Sequence, residues 1–339
     1  MIETNMKPNS KYITIDTSAK QLANFINEVM LTPRLKAIEW SKITKQTPGL
    51  KIGYPAQHIA SLLTGVEGRR SAARGDDLAD GSEVKGCNRI DQLDTCKSCG
   101  NKVLRYELKC NFCNSTDISR KDDSKWLLTI KSESELNLYT NKIDRLIFIL
   151  LDYPYFADNN FETLSIKAYE IWPKSNKTFK QILKDYYYNI YLEHIKLNAS
   201  KTPAPKNFWP YSFQFYKCKP LKTYECLITD INSKPKINTL TYVSPTDDRS
   251  KLTPEDVPIE ILNNEELEFV IDFHRKEIGK EHPSIIQYWD ELTPKQKTTN
   301  VSKKRLYKAM PTLPHSYLDC IELRDTSKAT PHVTEYSRR

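Results

Sequence analysis

Residues 146–151 read Leu-Ile-Phe-Ile-Leu-Leu, an unbroken apolar run closed by Arg145 and Asp152. A strand with one wet face alternates apolar and polar residues, whereas a strand covered on both faces does not. The run therefore reads as a central strand with a layer on each side. It is far too short to cross a bilayer. Apolar residues recur at helical spacing over 17–30 behind a Thr/Ser cap, and over 54–65 with Pro55 in the first turn and Gly65 at the end. Similar periods cover 132–142, 174–198 and 264–278. The runs KWLLTI (125–130), ETLSIKAYEIW (162–172), SFQFYKC, YECLITDI and INTLTYV read as further strands. The predicted class is α/β.

At 339 residues the chain exceeds the size at which one core usually stops growing, so two domains, or one with large insertions, are expected. We expect an N-terminal helical segment (1–50), a core (51–200), a C-terminal α+β region for ligand binding or dimerisation (201–325) and a tail (326–339). The boundary near 200 follows the Pro-containing stretch SKTPAPKNFWP. The N-terminus has no basic region followed by an apolar run, so a cytoplasmic protein without a membrane segment is expected. A net charge of +8 permits an anionic partner, and its distribution says more than its total. Arg69, Arg70 and Arg74 lie together, and residues 293–310 carry six basic residues, among them Lys303, Lys304 and Arg305, and no acidic one.

Four of the eight cysteines fall as Cys96-x2-Cys99 and Cys110-x2-Cys113, with ten residues between the pairs. Each pair lets two thiolates converge on one ion, and the intervening turn folds the second pair over the first. This spacing predicts a closed, structural Zn²⁺ ribbon over 94–116. Cys87, Cys218, Cys226 and Cys320 are scattered and read as small buried hydrophobes.

Just upstream, residues 75–87 read GDDLADGSEVKGC and crowd Asp76, Asp77, Asp80 and Glu83 into one stretch of a basic chain. Asp80-Gly81 is a turn dipeptide, and a hairpin is expected with SEVKGCNRI as its second arm. The period of a strand puts Glu83 and Lys85 on one face and Val84 on the other. Asp77, across the turn, can then approach Glu83, and two such carboxylates make a hard oxygen site suited to Mg²⁺. A Lys beside them can orient or help deprotonate an attacking water, the chemistry of phosphodiester hydrolysis. Asp76 is an equally spaced rival to Asp77.

An amphipathic helix, then Asp, then Glu-x-Lys on a strand of an α/β core resembles the PD-(D/E)xK nuclease superfamily. In IGYPAQHIASLLTGVEG, RGDDLADGSEVKGCNRIDQLDTCKSCG, DSKWLLTI and KNFWPYSFQFY the chain is similar to the MamI-like type II restriction endonucleases. The resemblance implies a mixed sheet flanked by helices, metal ligation by Asp77 and Glu83, and service of the water by Lys85. A looser similarity to the mismatch-repair nicking enzyme MutH implies a supporting role for Gln57. No Pro precedes the Asp, which leaves Asp76 and Asp77 in competition. The resemblance implies a Mg²⁺-dependent endonuclease acting on double-stranded DNA, with Arg69, Arg70, Arg74, Lys303, Lys304 and Arg305 expected to contact its phosphates; a nicking or repair nuclease and a non-catalytic zinc-ribbon regulator are the alternatives. One constellation per chain cuts one strand, so a symmetric homodimer is expected, with 201–325 as a DNA-binding or dimerisation region. Candidate dimer surfaces are the aromatic helix around Tyr186, Tyr187 and Tyr191 and the helix over 264–278.

Overall fold

The computed structural model describes residues 6–70, 76–121, 123–197, 205–273, 275, 289–297 and 312–324. Helix α1 (Ala19–Phe25) starts where Ser18 Oγ accepts the Gln21 N–H, and it runs through a π-type turn into α2 (Thr32–Thr44). Helix α3 (Gly53–Thr64) ends at Gly65, whose φ is +65°. A Cβ at Gly65 would lie 2.8 Å from Ile13 Cγ2, so both backbone and space call for glycine.

Strand β1 (Glu83–Asn88) follows, and then β2 (Leu93–Cys96), β3 (Lys102–Leu104) and β4 (Ile118–Ser119) make a small antiparallel sheet ordered β3-β2-β4. Next come β5 (Trp126–Leu128), α4 (Glu133–Asn137), β6 (Leu146–Asp152), β7 (Leu164–Ile171), α5 (Lys177–Asp185) and α6 (Leu192–Leu197). Strand β8 (Lys206–Phe208), α7 (Phe213–Lys217), β9 (Leu221–Thr229), β10 (Lys236–Tyr242) and α8 (Asn264–Phe273) complete the main elements.

The central sheet is mixed and ordered β1-β6-β7-β9-β10, with β1 parallel to β6 and the other pairs antiparallel. The apolar run of β6 divides between two cores, as continuous burial requires. Leu146, Phe148 and Leu150 pack with Trp126, Tyr139, Phe208 and Phe215. Ile147, Ile149 and Leu151 pack with Leu22, Ile26, Ile59 and Leu63 from α1, the π-type turn and α3. Each such side chain contributes roughly 1.5–3 kcal/mol by burial, so the strand is anchored from both sides. Among the described residues, no helix is long and apolar enough to cross a membrane.

Several expectations are corrected. The Asp80-Gly81 turn forms, but β1 pairs in parallel with β6 instead of folding back on residues 76–79. The segment must bury Val84 and Cys87 in different cores, and the β6 register, with Glu83 opposite Leu146, does this. The sheet also crosses the boundary expected near residue 200, because β9 pairs with β7 from Leu164 opposite Ile228 to Glu170 opposite Leu221. SFQFYKC is helix α7, started by Ser212 Oγ accepting the Phe215 N–H. Tyr186, Tyr187 and Tyr191, offered as a dimer surface, are buried in the core beside α5. Arg74, Lys303, Lys304, Arg305 and the tail 326–339 lie outside the described residues.

Candidate active site and metal centres

Helix α3, the turn after it and β1 bring four of the sequence-predicted residues together. Gln57 Nε2 donates to Asp77 Oδ1 (2.7 Å), and Asp77 Oδ2 accepts the Val84 N–H (2.7 Å). Glu83 donates its own N–H inward to Arg145 O (3.0 Å), so the next N–H, that of Val84, points off the free edge of the sheet. Glu83 and Lys85 share a face of β1, and Lys85 Nζ lies 2.5 Å from Glu83 Oε1. Their side chains are 3% and 21% exposed, so the pair is largely desolvated.

This geometry shifts both charges. Burial raises Asp77 above the ordinary carboxylate range and the Glu83 charge adds to it, against the opposing Val84 N–H, Lys85 and Gln57. Burial alone would lower Lys85, but Tyr139 and Glu83 outweigh it, and the ammonium sits above its ordinary value. The Tyr139 ring centroid is 6.0 Å from Lys85 Nζ. Tyr139 escaped the sequence reading because it belongs to another element and looks like any core aromatic.

The other two acids of the stretch are taken elsewhere. Asp76 pairs with Arg69 (2.7 Å) at the surface, and Arg69 also donates to Ala79 O (3.1 Å). Arg69, expected to contact DNA, also ties its own loop together, and its side chain stays 45% exposed. Asp80 pairs with the buried Arg145 (2.6 Å), which sequence reasoning missed. The one available signal was its position at the foot of a buried strand, where a charge needs a partner. Arg70, in a left-handed conformation at φ +55°, lines a cleft of about 520 Å³ with Tyr54, Gln57, His58 and Asp77.

The four cysteines converge. The Gly100 N–H donates to Cys96 O and the Asn114 N–H to Cys110 O (2.9 Å each), so both pairs form the same kind of knuckle. The sulfurs of Cys96 and Cys113, and of Cys99 and Cys110, are 3.6 Å apart, and all four lie within 4.8 Å of one another. A tetrahedron with metal–sulfur bonds of about 2.3 Å has edges of about 3.8 Å, so the thiols fit a four-coordinate ion. The backbone N–H and side chain of Asn101 lower the Cys99 thiol to about 6, while the neighbouring thiols push Cys113 up to about 12, so one of the crowded sulfurs gives up its proton first. Among the described residues, this is the cluster of three or more potential metal ligands.

The base of the ribbon is bolted to the core. Asp94 accepts from Arg105 Nε and Nη2 (2.7 Å each), Arg120 Nη1 (2.8 Å) and the Lys121 N–H (2.9 Å). The Arg105 and Arg120 guanidinium groups lie 5.6 and 4.7 Å from the Phe161 ring centroid. Cys87, Cys218 and Cys226 are buried, as expected, and Cys320 is partly so.

The type II restriction enzyme MamI of Microbacterium ammoniaphilum is 44% identical over 55 residues, which are 16% of this chain and 18% of that enzyme. The similarity thus spans under a fifth of the relative's length. No solved structure matches. The model of the MamI restriction endonuclease family matches residues 39–260, from the end of α2 past β10. That stretch holds both the acidic site and the cysteine ribbon, and over it the chain belongs to the MamI restriction endonuclease family.

Proposed function

We propose that the chain is a type II restriction endonuclease that hydrolyses phosphodiester bonds of double-stranded DNA at a specific sequence, using Mg²⁺ at the acidic site and Zn²⁺ in the ribbon. The observation that carries this reading is the meeting of Asp77, Glu83 and Lys85 at the free edge of β1 in a chain of this family. The trio supports a PD-(D/E)xK core. Asp77 and Glu83 would hold Mg²⁺, which supplies Lewis acidity at the scissile phosphate when bound. Asp77, not Asp76, is the primary ligand, because Asp76 is engaged by Arg69 at the surface.

The chain's own groups do the rest. Gln57 and the Val84 N–H fix both oxygens of Asp77. Lys85 Nζ, held between Glu83 and Tyr139, orients the attacking water and offsets charge that develops on the phosphate. Arg70, on the cleft wall beside Asp77, contacts the DNA backbone, and by their charge Arg69, Arg74, Lys303, Lys304 and Arg305 are assigned the same kind of contact. One such constellation cuts one strand, so the cytoplasmic enzyme acts on a palindromic site as a symmetric homodimer.

Incubation with plasmid DNA and Mg²⁺, followed by mapping of the ends, tests the reading. Cuts in both strands at one fixed sequence support it. Nicks in one strand favour a repair-type nuclease, and sequence-specific binding without cleavage favours a zinc-ribbon regulator.

A further inference from the structure

We propose that Arg145 is a positioning residue for the acidic site, its guanidinium locking the 76–83 turn so that Asp77 and Glu83 stand ready at one spacing before a cation arrives. The inference rests on the reading of Asp77 and Glu83 as ligands of a divalent cation. Arg145 sits at the foot of β6, 1% exposed, and reaches back across 65 residues of chain. Its backbone oxygen takes the Glu83 N–H (3.0 Å) and so sets where β1 begins. Its Nε donates to Ser82 Oγ (3.1 Å) and its Nη2 to Asp80 Oδ2 (2.6 Å). One residue thus holds three positions of the turn.

The grip passes onward to Asp77. Asp80 Oδ1 accepts the Ser82 N–H (3.0 Å), and Ser82 O accepts the Leu78 N–H (3.2 Å), one peptide from Asp77. The other side of the guanidinium is pinned as well. Nη1 faces Glu170 Oε1 (3.4 Å), which Arg249 also approaches (3.4 Å), while Trp172 Nε1 donates to Glu170 Oε2 (3.2 Å). The Trp172 ring centroid lies 5.5 Å from the Arg145 guanidinium carbon. Arg145 cannot swing away without leaving Asp80 short of a counter-charge and Glu170 with Arg249 alone in a desolvated place. Two carboxylates repel, and a turn free to relax would let them part. A turn clamped from behind keeps them together, the role that outer partners of metal ligands play generally.

Calorimetric titration of the full chain with Mn²⁺, an oxygen-seeking probe whose heat does not depend on cleavage, tests this. Asp80→Asn and Arg145→Lys should each weaken Mn²⁺ binding about 10–100-fold while the folded protein still melts cooperatively and keeps its cysteine-bound metal. Arg145→Lys can fail to fold, and Asp80→Asn, at the margin of the network, then carries the test. A purely structural role would lower the melting temperature and leave the Mn²⁺ affinity of the folded protein where it was. Wild-type affinity in folded Asp80→Asn, beside a loss in Asp77→Asn, would overturn the positioning role alone. Wild-type affinity in Asp77→Asn itself would remove the metal-site reading and this inference with it.

Discussion

The ribbon and the acidic turn are two answers to one problem, four ligand-type side chains in a short stretch. In the ribbon all four converge, with sulfurs at tetrahedral separations. In the turn the four acids are sorted, Asp76 to Arg69 and Asp80 to Arg145, which leaves Asp77 and Glu83 at the edge of β1. Thiols have few partners in a protein other than each other or a soft ion, whereas a carboxylate can be claimed by any arginine the fold brings near. Cysteine spacing therefore maps onto a site almost directly. Carboxylate spacing offers candidates, and distant arginines choose among them.

The largest effect that tests this contrast lies in the ribbon. Replacing Cys96 or Cys113 by Ser should abolish binding of the zinc proposed for the ribbon, a closed thiolate site of the kind that contributes on the order of 10 kcal/mol of apparent binding free energy coupled to local folding. Elemental analysis that finds no zinc in the wild-type protein would break the comparison outright. Next comes the chemistry. Glu83→Ala or Lys85→Ala should cut plasmid cleavage on the order of a thousandfold, with Ca²⁺-supported DNA binding retained, and full activity in either would refute the assignment.

Asp94→Ala removes the counter-charge of the buried Arg105 and the nearly buried Arg120 and should cost about 3–5 kcal/mol in a denaturant titration. The finest test separates the adjacent aspartates. Asp76→Asn touches an exposed ion pair and should change stability by under about 1 kcal/mol, with cleavage near wild type. Asp77→Asn should be inactive. Because the folded carboxyl of Asp77 sits above its ordinary 3.8, the metal-free fold binds that proton more tightly than the unfolded chain does. Its stability therefore declines as pH rises from about 3.8 through the raised value, and Asp77→Asn should flatten that decline in metal-free thermal melts.

The legible parts of the fold were those decided locally or by burial on both faces. The 146–151 run needs no alternation to be read as a covered strand, and α3 announces itself by its period and by Gly65. Strand partners are not local. Nothing near Glu83 reveals that its neighbour is Leu146, so the turn dipeptide suggested a hairpin that does not form. In SFQFYKC, Phe213 and Phe215 alternate as a strand would, but Ser212 caps the Phe215 N–H and the Tyr216 and Cys218 N–H groups bond back to Ser212 and Gln214, so a helix forms. At the site, Glu83, Lys85 and the Asp76/Asp77 pair were readable from residue type and period, and Gln57 only from a looser family resemblance. Arg145 and Tyr139 were not, because their meaning comes from contacts across tens of residues of chain.

The Asp77 contact with the Val84 N–H also bears on how the protein stays dispersed. Strand β1 closes one side of the sheet, and the outward N–H groups of an edge strand invite a strand from another molecule. Asp77 Oδ2 occupies one of those donors and sets a negative charge where an incoming backbone would have to lie. The carboxylate proposed for hydrolysis would thus also guard against intermolecular strand pairing. A chain stripped of it should self-associate more readily as concentration rises, even where its melting temperature is unchanged.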